Sequence, residues 1–252
     1  IANVESNSPD LCIATLKKLC AINANSYIEL GDYLAKQNRT GEAADAYREA
    51  FAKTTDRILF AAHNEWIIDY DYTHDRKDEA EQIATEGAEV YSMAGLESMA
   101  RLLEREDKLP EAEQVFVAIR ERYSEPMPLA AFYFRHKEDP RFAASAVSLT
   151  KSLFPNGIEK AALADFTAPP TDGVLIKSNS ALLHQYSLAP GDVFVAIDGM
   201  RVHNMNQYTF GRMMSEQPDF SVIAWTHGHY IEVKASIPHH LFGCDIGDYS
   251  GK

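Results

Sequence analysis

The side chains best suited to chemistry are imidazoles and a thiol near the carboxy-terminal end of the sequence. His227 and His229 flank a glycine, and His239, His240 and Cys244 follow. Residues i and i+2 of a strand point to the same face, so the first two histidines could share one metal site if other ligands converged on it. The spacing matches no established zinc pattern. We therefore predict no bound metal and no other cofactor, and the four histidines remain candidates for an alternative only.

The rest of the sequence lacks the motifs of common enzymes. It contains no Gly-x-Ser-x-Gly, no His-Glu-x-x-His, no phosphate-binding glycine loop and no dinucleotide fingerprint. Cys244 is close to two histidines in sequence, but a catalytic Cys–His pair is a spatial arrangement that sequence distance does not establish. The prediction is a protein that is not an enzyme. The alternative is a metal- or ligand-binding accessory subunit of an envelope enzyme or protease, acting through residues 227–244.

Composition and charge narrow the classes of partner. The 252 residues, 46% hydrophobic and 24% charged, are typical of a soluble globular protein of one or two domains. A net charge of -13 disfavours nucleic acid and anionic membrane surfaces, because both are bound largely through Lys and Arg. No run approaches the roughly 20 apolar residues of a membrane-spanning helix, so direct membrane insertion is not expected. The predicted partners are therefore proteins or peptides.

Residues 8–154 carry long alanine-rich helical patterns and no convincing strand. Ser8, Pro9 and Asp10 make a good helix start, with a capping hydroxyl, a proline in the first turn and an acid near the positive helix end. The segment that follows places small and large apolar residues at spacings that favour two helices in close contact. These residues are Tyr27, Leu30, Gly31, Ala43, Tyr47 and Ala50.

Those spacings resemble the tetratricopeptide repeat (TPR), in which two antiparallel helices pack through small residues at fixed points. The resemblance implies that Gly31 and Ala43 let the helices approach while Leu30 and Tyr47 fill the space between them. Alanines at 80, 112 and 143 repeat the position of Ala43 at steps of 37, 32 and 31 residues, near the family period of about 34. An ordinary helical bundle, rich in alanine because alanine favours helices, is the alternative.

A repeat array of this kind has a concave face that usually binds a peptide or another protein. Aromatic and acidic residues between the two helices of the second predicted copy could decorate that face, or could form a solvated loop. They are Tyr70, Asp71, Tyr72, His74 and Asp75.

The pattern changes after residue 154. Pro155 cannot continue a helix, and Gly157 supplies a turn. Farther on, a Pro-Gly-Asp turn precedes the apolar run 193–197, and an Asp-Gly pair then turns the chain back. The pattern predicts a small, mostly β module. Its predicted strands are 158–163, 173–177, 193–197, 220–226 and 230–235, and its predicted helices are 180–186 and 206–216, the second capped by Asn206.

This order of elements resembles the PDZ domains of bacterial proteins over residues 155–238, most specifically at 173–176 and 188–199. Such a domain binds a peptide between its second strand and its second helix, where a glycine-containing loop donates backbone N–H groups to a peptide carboxylate. By position, the loop would be 156–158 and the pairing strand 158–163. The residues that the resemblance assigns to the groove are Asn156, Gly157, Ile158, Ala161, Gln207, Phe210 and Met214.

One position departs from the family pattern. PDZ domains usually carry an apolar residue before the loop glycine, and this sequence has Asn156 there. The sequence leaves three alternatives open: the domain captures a terminal carboxylate, it binds an internal strand, or it is purely structural.

The predicted architecture is multidomain. An all-α, TPR-like helical-repeat solenoid covers 8–154, a small mostly-β PDZ-like domain covers 155–238, and a flexible tail covers 239–252. The predicted function is a non-catalytic scaffold or adaptor that binds peptide segments through the concave face and the groove. Because bacterial PDZ-like modules lie mostly outside the cytoplasm, and the sequence starts at Ile1 rather than Met, the predicted location is periplasmic or secreted, with the cytoplasm as alternative.

Overall fold

The computed structural model describes residues 9–215, 217–237 and 240–251 and divides the chain into two compact units. The first unit extends to Ser124, and the second begins at Glu125. The first is helical, and the second combines helices with an antiparallel sheet. The predicted combination of a helical part and a sheet-containing part is therefore confirmed at this level of detail.

The helical unit consists of helices that pack mainly on their neighbours in sequence. Alanine is the residue that most often lies fully buried where they meet, because its small side chain lets two backbones approach. The helices are α1 (Pro9–Cys20), α2 (Ser26–Lys36), α3 (Thr40–Lys53), α4 (Arg57–Ala61), α5 (Glu65–Thr73), α6 (Lys77–Glu89), α7 (Met93–Arg105) and α8 (Leu109–Tyr123).

The predicted pair of helices in contact is α2 and α3. A Cβ built on Gly31 would lie 2.9 Å from the ring of Tyr47, so only glycine lets that ring lie against α2 without a shift. Leu30, Ala43 and Ala50 are buried in the same contact, and Tyr27 is half-buried beside them. The six residues singled out in the sequence thus lie in or beside one helix–helix contact.

Glycines also bring α6 and α7 together. A Cβ on Gly95 would overlap the carbonyl oxygen of Gly87, and a Cβ on Gly87 would overlap the amide nitrogen of Asn64. Asn64 is fully buried, and its Oδ1 accepts a hydrogen bond from the Ser98 hydroxyl at 3.0 Å. The backbones here are close enough that no side chain fits between them.

A buried carboxylate ties three segments of the helical unit together. Asp71 is fully buried, its Oδ1 pairs with the Arg48 guanidinium of α3, and the Nε of Arg76 lies 3.7 Å away. Both predictions for Asp71, an exposed decoration of a binding face and a solvated loop, are therefore wrong. Its burial without these cations would be strongly unfavourable, so the ion pair fixes how α3 meets α5.

A second polar cluster joins α2, α3 and the turn before α5. The Tyr47 hydroxyl donates to Oδ1 of Asp32, and Nδ1 of His63 lies 3.4 Å from Oδ2. Burial opposes ionisation of Asp32, but the hydrogen bonds from His63 and Tyr47 outweigh it and hold its pKa below the ordinary value. The hydrogen bond to Asp32 in turn raises the pKa of His63.

The second unit contains four helices and six strands among its described residues. The helices are α9 (Met127–Arg135), α10 (Ala143–Leu153), α11 (Ala181–Gln185) and α12 (Met205–Met213), with a short 3-10 helix at Leu163–Asp165. The strands are β1 (Asp172–Ile176), β2 (Val193–Ile197), β3 (Met200–Arg201), β4 (Asp219–Thr226), β5 (His229–Ser236) and β6 (Ile246–Ser250).

The strands form one antiparallel sheet in the order β5-β4-β2-β1-β6, with β3 paired to β2. The central strand β2 is buried along its whole length, as its apolar run predicts. Asp198 and Gly199, both at positive φ, make the tight turn into β3. β6 pairs with β1 from Asp172–Ser250 to Ile176–Ile246.

Helices α9 and α10 pack within the second unit. Phe134 and Phe154 lie edge-on to Phe210 of α12, with ring centroids 5.5 and 5.4 Å apart. Met127 and Ala130 belong to the same core as the sheet. The boundary thus falls after Ser124, and not at the predicted position after residue 154.

Three further predictions about this unit are wrong. Residues 158–163 form no strand; Lys160 makes one isolated bridge to Met200, and the Ala161 N–H donates to the Gly199 carbonyl at 2.8 Å. The predicted tail contains β6, a full member of the sheet. The cap of α12 is Asn204, whose Oδ1 accepts from the Gln207 N–H at 3.0 Å, and not Asn206.

Candidate functional site

The outer side of β6 is an open sheet edge. Lys177 donates its N–H to the Asp245 carbonyl and Gly251 donates to the Thr171 carbonyl, both at 2.8 Å. Because antiparallel strands alternate between bonded and non-bonded pairs, this register turns the backbone groups of residues 246, 248 and 250 away from β1. No described residue pairs with these groups, so they could accept another strand.

The opposite edge, β5, is less suited to accept a strand. Its two-residue turn at His227 and Gly228, both at positive φ, directs the backbone groups of residues 230, 232, 234 and 236 outward. Glu232 and Lys234 are exposed there, and charges along an edge discourage pairing. Near the turn, the Tyr230 hydroxyl donates to the Ala168 carbonyl at 2.8 Å, so the preceding chain lies against this strand.

Helix α12 lies beside the open edge of β6. Asn204 caps it, and Oδ1 of Asp248 accepts the N–H of Met205 at 2.7 Å, which fastens the helix start to the strand. Phe210 is fully buried, and a Cβ on Gly211 would overlap the side chain of Ile197, so this face of α12 lies on the sheet. The opposite face carries side chains that line a cleft.

A cleft of about 400 Å³ lies between that second face and the segment leading into β6. The helix contributes residues spaced at i, i+3, i+4 and i+7, which share one side of a helix. Phe194 and Phe242 extend the apolar wall, and both are buried. The helix residues are Met205, Tyr208, Thr209 and Arg212, and the facing segment is 240–246.

The loop at one end of the cleft presents unengaged backbone donors. Its base is fixed, because the Asp245 N–H donates to the Ser178 hydroxyl at 2.7 Å. Within the described residues, the hydrogen bonds of this loop leave the N–H groups of Phe242, Gly243 and Cys244 unused. Gly243 is at φ +68°, a conformation that glycine adopts without strain. Successive free N–H groups in such a loop form a concave anion site.

The electrostatics of the cleft differ along its length. Arg212 brings positive charge at the loop end. Burial raises the pKa of the Cys244 thiol and that of the Tyr208 hydroxyl. Both groups therefore stay neutral at physiological pH and form uncharged parts of the cleft lining. His240 is fully buried against Phe220, its Nε2 faces the Gln217 carbonyl at 2.7 Å, and its Nδ1 has no hydrogen bond to any described residue.

The amino-terminal part of the predicted groove lies elsewhere. Gly157 sits in a turn that its N–H closes onto the Phe154 carbonyl at 2.9 Å, and Asn156 is exposed beside it. Ile158 packs against the main core, and Ala161 packs on the other face of the sheet with β2 residues. None of these four lines the cleft beside α12.

The helix residues predicted for the groove lie on the side of α12 that faces the core. Phe210 is core, Gln207 is buried and donates to the Leu153 carbonyl at 3.1 Å, and Met214, just after the helix, packs on the core. They stand two positions from the residues that line the cleft, roughly 200° around the helix. The predicted residues therefore belong to the helix that lines the cleft, but to its buried face.

A signal for the observed loop was present in the sequence. Phe242 and Gly243 supply the apolar residue before a glycine that is absent at Asn156. They follow the last predicted strand, in a segment interpreted as a tail.

The histidine candidates for a metal site do not gather in one place. His227 and His229 lie at the β4–β5 turn, and His240 follows the other end of β5, about 24 Å away at 3.4 Å per residue. His239 lies outside the described residues. Among the residues described, no group of three or more His, Cys, Asp or Glu side chains is arranged to hold a metal ion.

In the described part of the chain, no helix combines the length and the apolar character needed to cross a membrane. No protein-family model matches the sequence, and neither a curated protein nor a solved structure is significantly similar to it. The geometry of the cleft is therefore the basis for a functional assignment.

Proposed function

We propose that this protein is a non-catalytic adaptor whose second unit binds the carboxy-terminal end of an extended peptide. The observation that carries the proposal is the open edge of β6 beside the cleft of α12, with unengaged loop N–H groups at one end. A peptide added to this edge gains main-chain hydrogen bonds, and the cleft selects its side chains. This is the binding mode of a PDZ domain, which the unit is proposed to resemble.

The loop end of the cleft favours a terminal carboxylate over an internal strand. The N–H groups of Phe242, Gly243 and Cys244 are donors without acceptors among the described residues, and Arg212 adds a cation nearby. Hydrogen bonds to an ionised group are stronger than those between neutral groups. A carboxylate at this position would satisfy several donors at once.

The helical unit supports a second contact surface in the same adaptor. Sequential helices meeting through glycine and alanine, as at Gly31 and Ala43, are the arrangement of tetratricopeptide arrays, whose concave faces bind proteins. The adaptor would then hold two partners, or one partner through both units.

A peptide array tests the proposal directly. Random heptapeptides with free carboxylates and their amidated counterparts are probed with the whole protein. The expected result is a set of binders with apolar last residues whose signal falls at least tenfold on amidation. Equal binding of free and amidated peptides would contradict carboxylate capture, and an array without binders would contradict peptide binding by the second unit.

A further inference from the structure

We infer that the cleft selects peptides with a cationic side chain four residues before the terminal carboxylate, and that Asp248 makes this selection. The inference rests on the proposed function, because it names the class of peptide that the same cleft takes. It follows from the register of β6, the face on which Asp248 lies and the pairing of the charges around it.

The register places Asp248 opposite one defined ligand residue. Backbone groups of residues 246 and 248 face outward in turn, and Cys244 lies in the loop two residues before Ile246. A peptide with its terminal residue beside Cys244, at the loop, therefore has its second residue upstream opposite Ile246. Two residues farther upstream, a ligand side chain lies opposite Asp248.

Asp248 lies on the face of the sheet that α12 covers. Its register partner on β1 is Val174, a core residue in the same cluster as Phe210 of α12. Side chains directly opposite in adjacent strands lie on one face about 5 Å apart, so the ligand side chain would reach the Asp248 carboxylate.

The Arg201 guanidinium near Asp248 already pairs with another acid, and the Nζ of Lys177 lies over Gly247 on the opposite face of the sheet. Asp172, its diagonal neighbour, pairs with the Arg201 guanidinium and with Nδ1 of His203 at 3.0 Å. Nε2 of the same imidazole faces Glu159 at 3.3 Å. Asp248 itself makes no ion pair with a described residue; Oδ1 accepts from Met205, and Oδ2 has no hydrogen-bond partner among them.

The cleft is thus polarised. Arg212 and the loop donors lie at one end, and the exposed carboxylate of Asp248 lies at the other, about seven helix residues or roughly 10 Å away. A peptide with an anionic end and a cation four residues upstream matches both ends. A peptide with Glu at that position would meet like charge directly opposite.

Fluorescence anisotropy with labelled heptapeptides tests the inference. The probes are AAKATAV, AAQATAV and AAEATAV, each with a free and an amidated carboxy terminus. The expected result at low salt is roughly fivefold tighter binding of the Lys than of the Glu peptide, with the Gln peptide between them. The preference should fall toward unity in 0.5 M salt.

Two variants that each remove one negative charge separate a local effect of Asp248 from an effect of net charge. Asp248→Asn keeps an oxygen acceptor for the Met205 N–H and removes the charge, so the preference for Lys should fall below twofold. Asp219→Asn, at the far side of the sheet, should leave it unchanged. A wild-type protein that distinguishes free from amidated peptides but not Lys from Glu would overturn the inference and leave the proposed function standing. No binding of any probe would count against both.

Discussion

The two units bury polar groups and charge in different ways. The helical unit has 24 acidic and 14 basic residues, a net charge of -10, whereas the second unit has 13 and 10, a net charge of -3. The helical unit buries Asp71 with Arg48 and packs glycine on glycine at α6 and α7. The second unit builds its core from stacked aromatic rings such as Phe194 and Tyr208, 5.2 Å apart.

The difference suggests where each unit tolerates change. Helices held by small residues and internal ion pairs depend on a few contacts that no other side chain can replace. In the second unit, Ile246 of β6 packs at the border of the aromatic core, while the outward backbone groups of the strand take no part in that packing. The following predictions test this contrast.

The largest expected effect is at the glycine contact of the helical unit. Gly95→Ala would place a methyl group against the Gly87 carbonyl, and we expect a loss of about 3 kcal/mol in the free energy of unfolding. The measurement is urea unfolding followed by tryptophan fluorescence in a Trp225→Phe background, in which Trp66 reports on the helical unit.

Gly41→Ala is the matched control for this prediction. A Cβ on Gly41 would meet only the Tyr70 hydroxyl, at an ordinary 4.0 Å. Its higher helix propensity should stabilise the unit by less than about 1 kcal/mol. Equal losses in the two variants would contradict the close contact between α6 and α7.

The buried ion pair gives the next effect. Asp71→Asn removes the charge that compensates Arg48, whose side chain is 26% exposed, and should cost about 2 kcal/mol of unfolding free energy. Asp45→Asn removes a partner of the same arginine that is 80% exposed, and should cost less than about 0.5 kcal/mol. The unfolding free energy of both variants is measured by Trp66 fluorescence. A larger loss for Asp45→Asn would contradict the assignment of Asp71 as the main partner of Arg48.

In the second unit, a loop substitution should affect binding more than stability. Gly243→Ala and Gly228→Ala both force alanine to positive φ, at +68° and +84°, with nothing closer than 4.0 Å to the new methyl group. Each should cost about 1 kcal/mol of stability. Only Gly243→Ala should weaken binding of a free-carboxylate peptide, by roughly fivefold in anisotropy, because it shifts the loop donors. A similar loss of affinity in both variants would exclude a specific role for the loop.

The smallest effect is a pH dependence in the helical unit. The pKa of His63 is raised above 6.5, so its contribution to stability is complete below that value and is lost as pH rises through the raised pKa. The pKa of Asp32 is lowered, so its contribution is present above 3.8 and is lost as pH falls through the lowered value. Both groups are about one-third exposed, which limits the effect to less than about 1 kcal/mol.

His63→Gln isolates this dependence. The wild-type protein should lose more unfolding free energy between pH 5.5 and pH 8 than the variant does, as measured by urea unfolding at each pH. A variant with the same slope as the wild-type protein would show that the dependence comes from other groups.

Local signals in the sequence predicted local structure well. The strand 193–197, the turn at Asp198 and Gly199, and the contact of Gly31 with Tyr47 each depend on residues close together in the chain, and the structure contains them. The position of α12 was predicted within three residues at either end. Its groove-lining face was not, because apolar residues on both sides of the helix left the buried side undetermined.

The edge strand could not be predicted in the same way. Residues 246–250 read Ile-Gly-Asp-Tyr-Ser, without an apolar run, and they pair with residues 172–176, far from them in sequence. The PDZ-like order of elements instead assigns the pairing strand to residues 158–163. The boundary after Ser124 was missed because α9 and α10 have helical patterns like those of the array, and only the contacts with Phe210 assign them to the sheet.

The pairing of β6 with β1 has a consequence for the order in which the molecule folds. The paired residues are between 70 and 78 positions apart, so closing this loop costs more entropy than any hairpin in the sheet. We expect the β6 amide hydrogens to exchange with solvent faster than those of β2 in the native state. A bound peptide would slow that exchange by holding the strand from its outer side, so the ligand would complete the part of the sheet that assembles last.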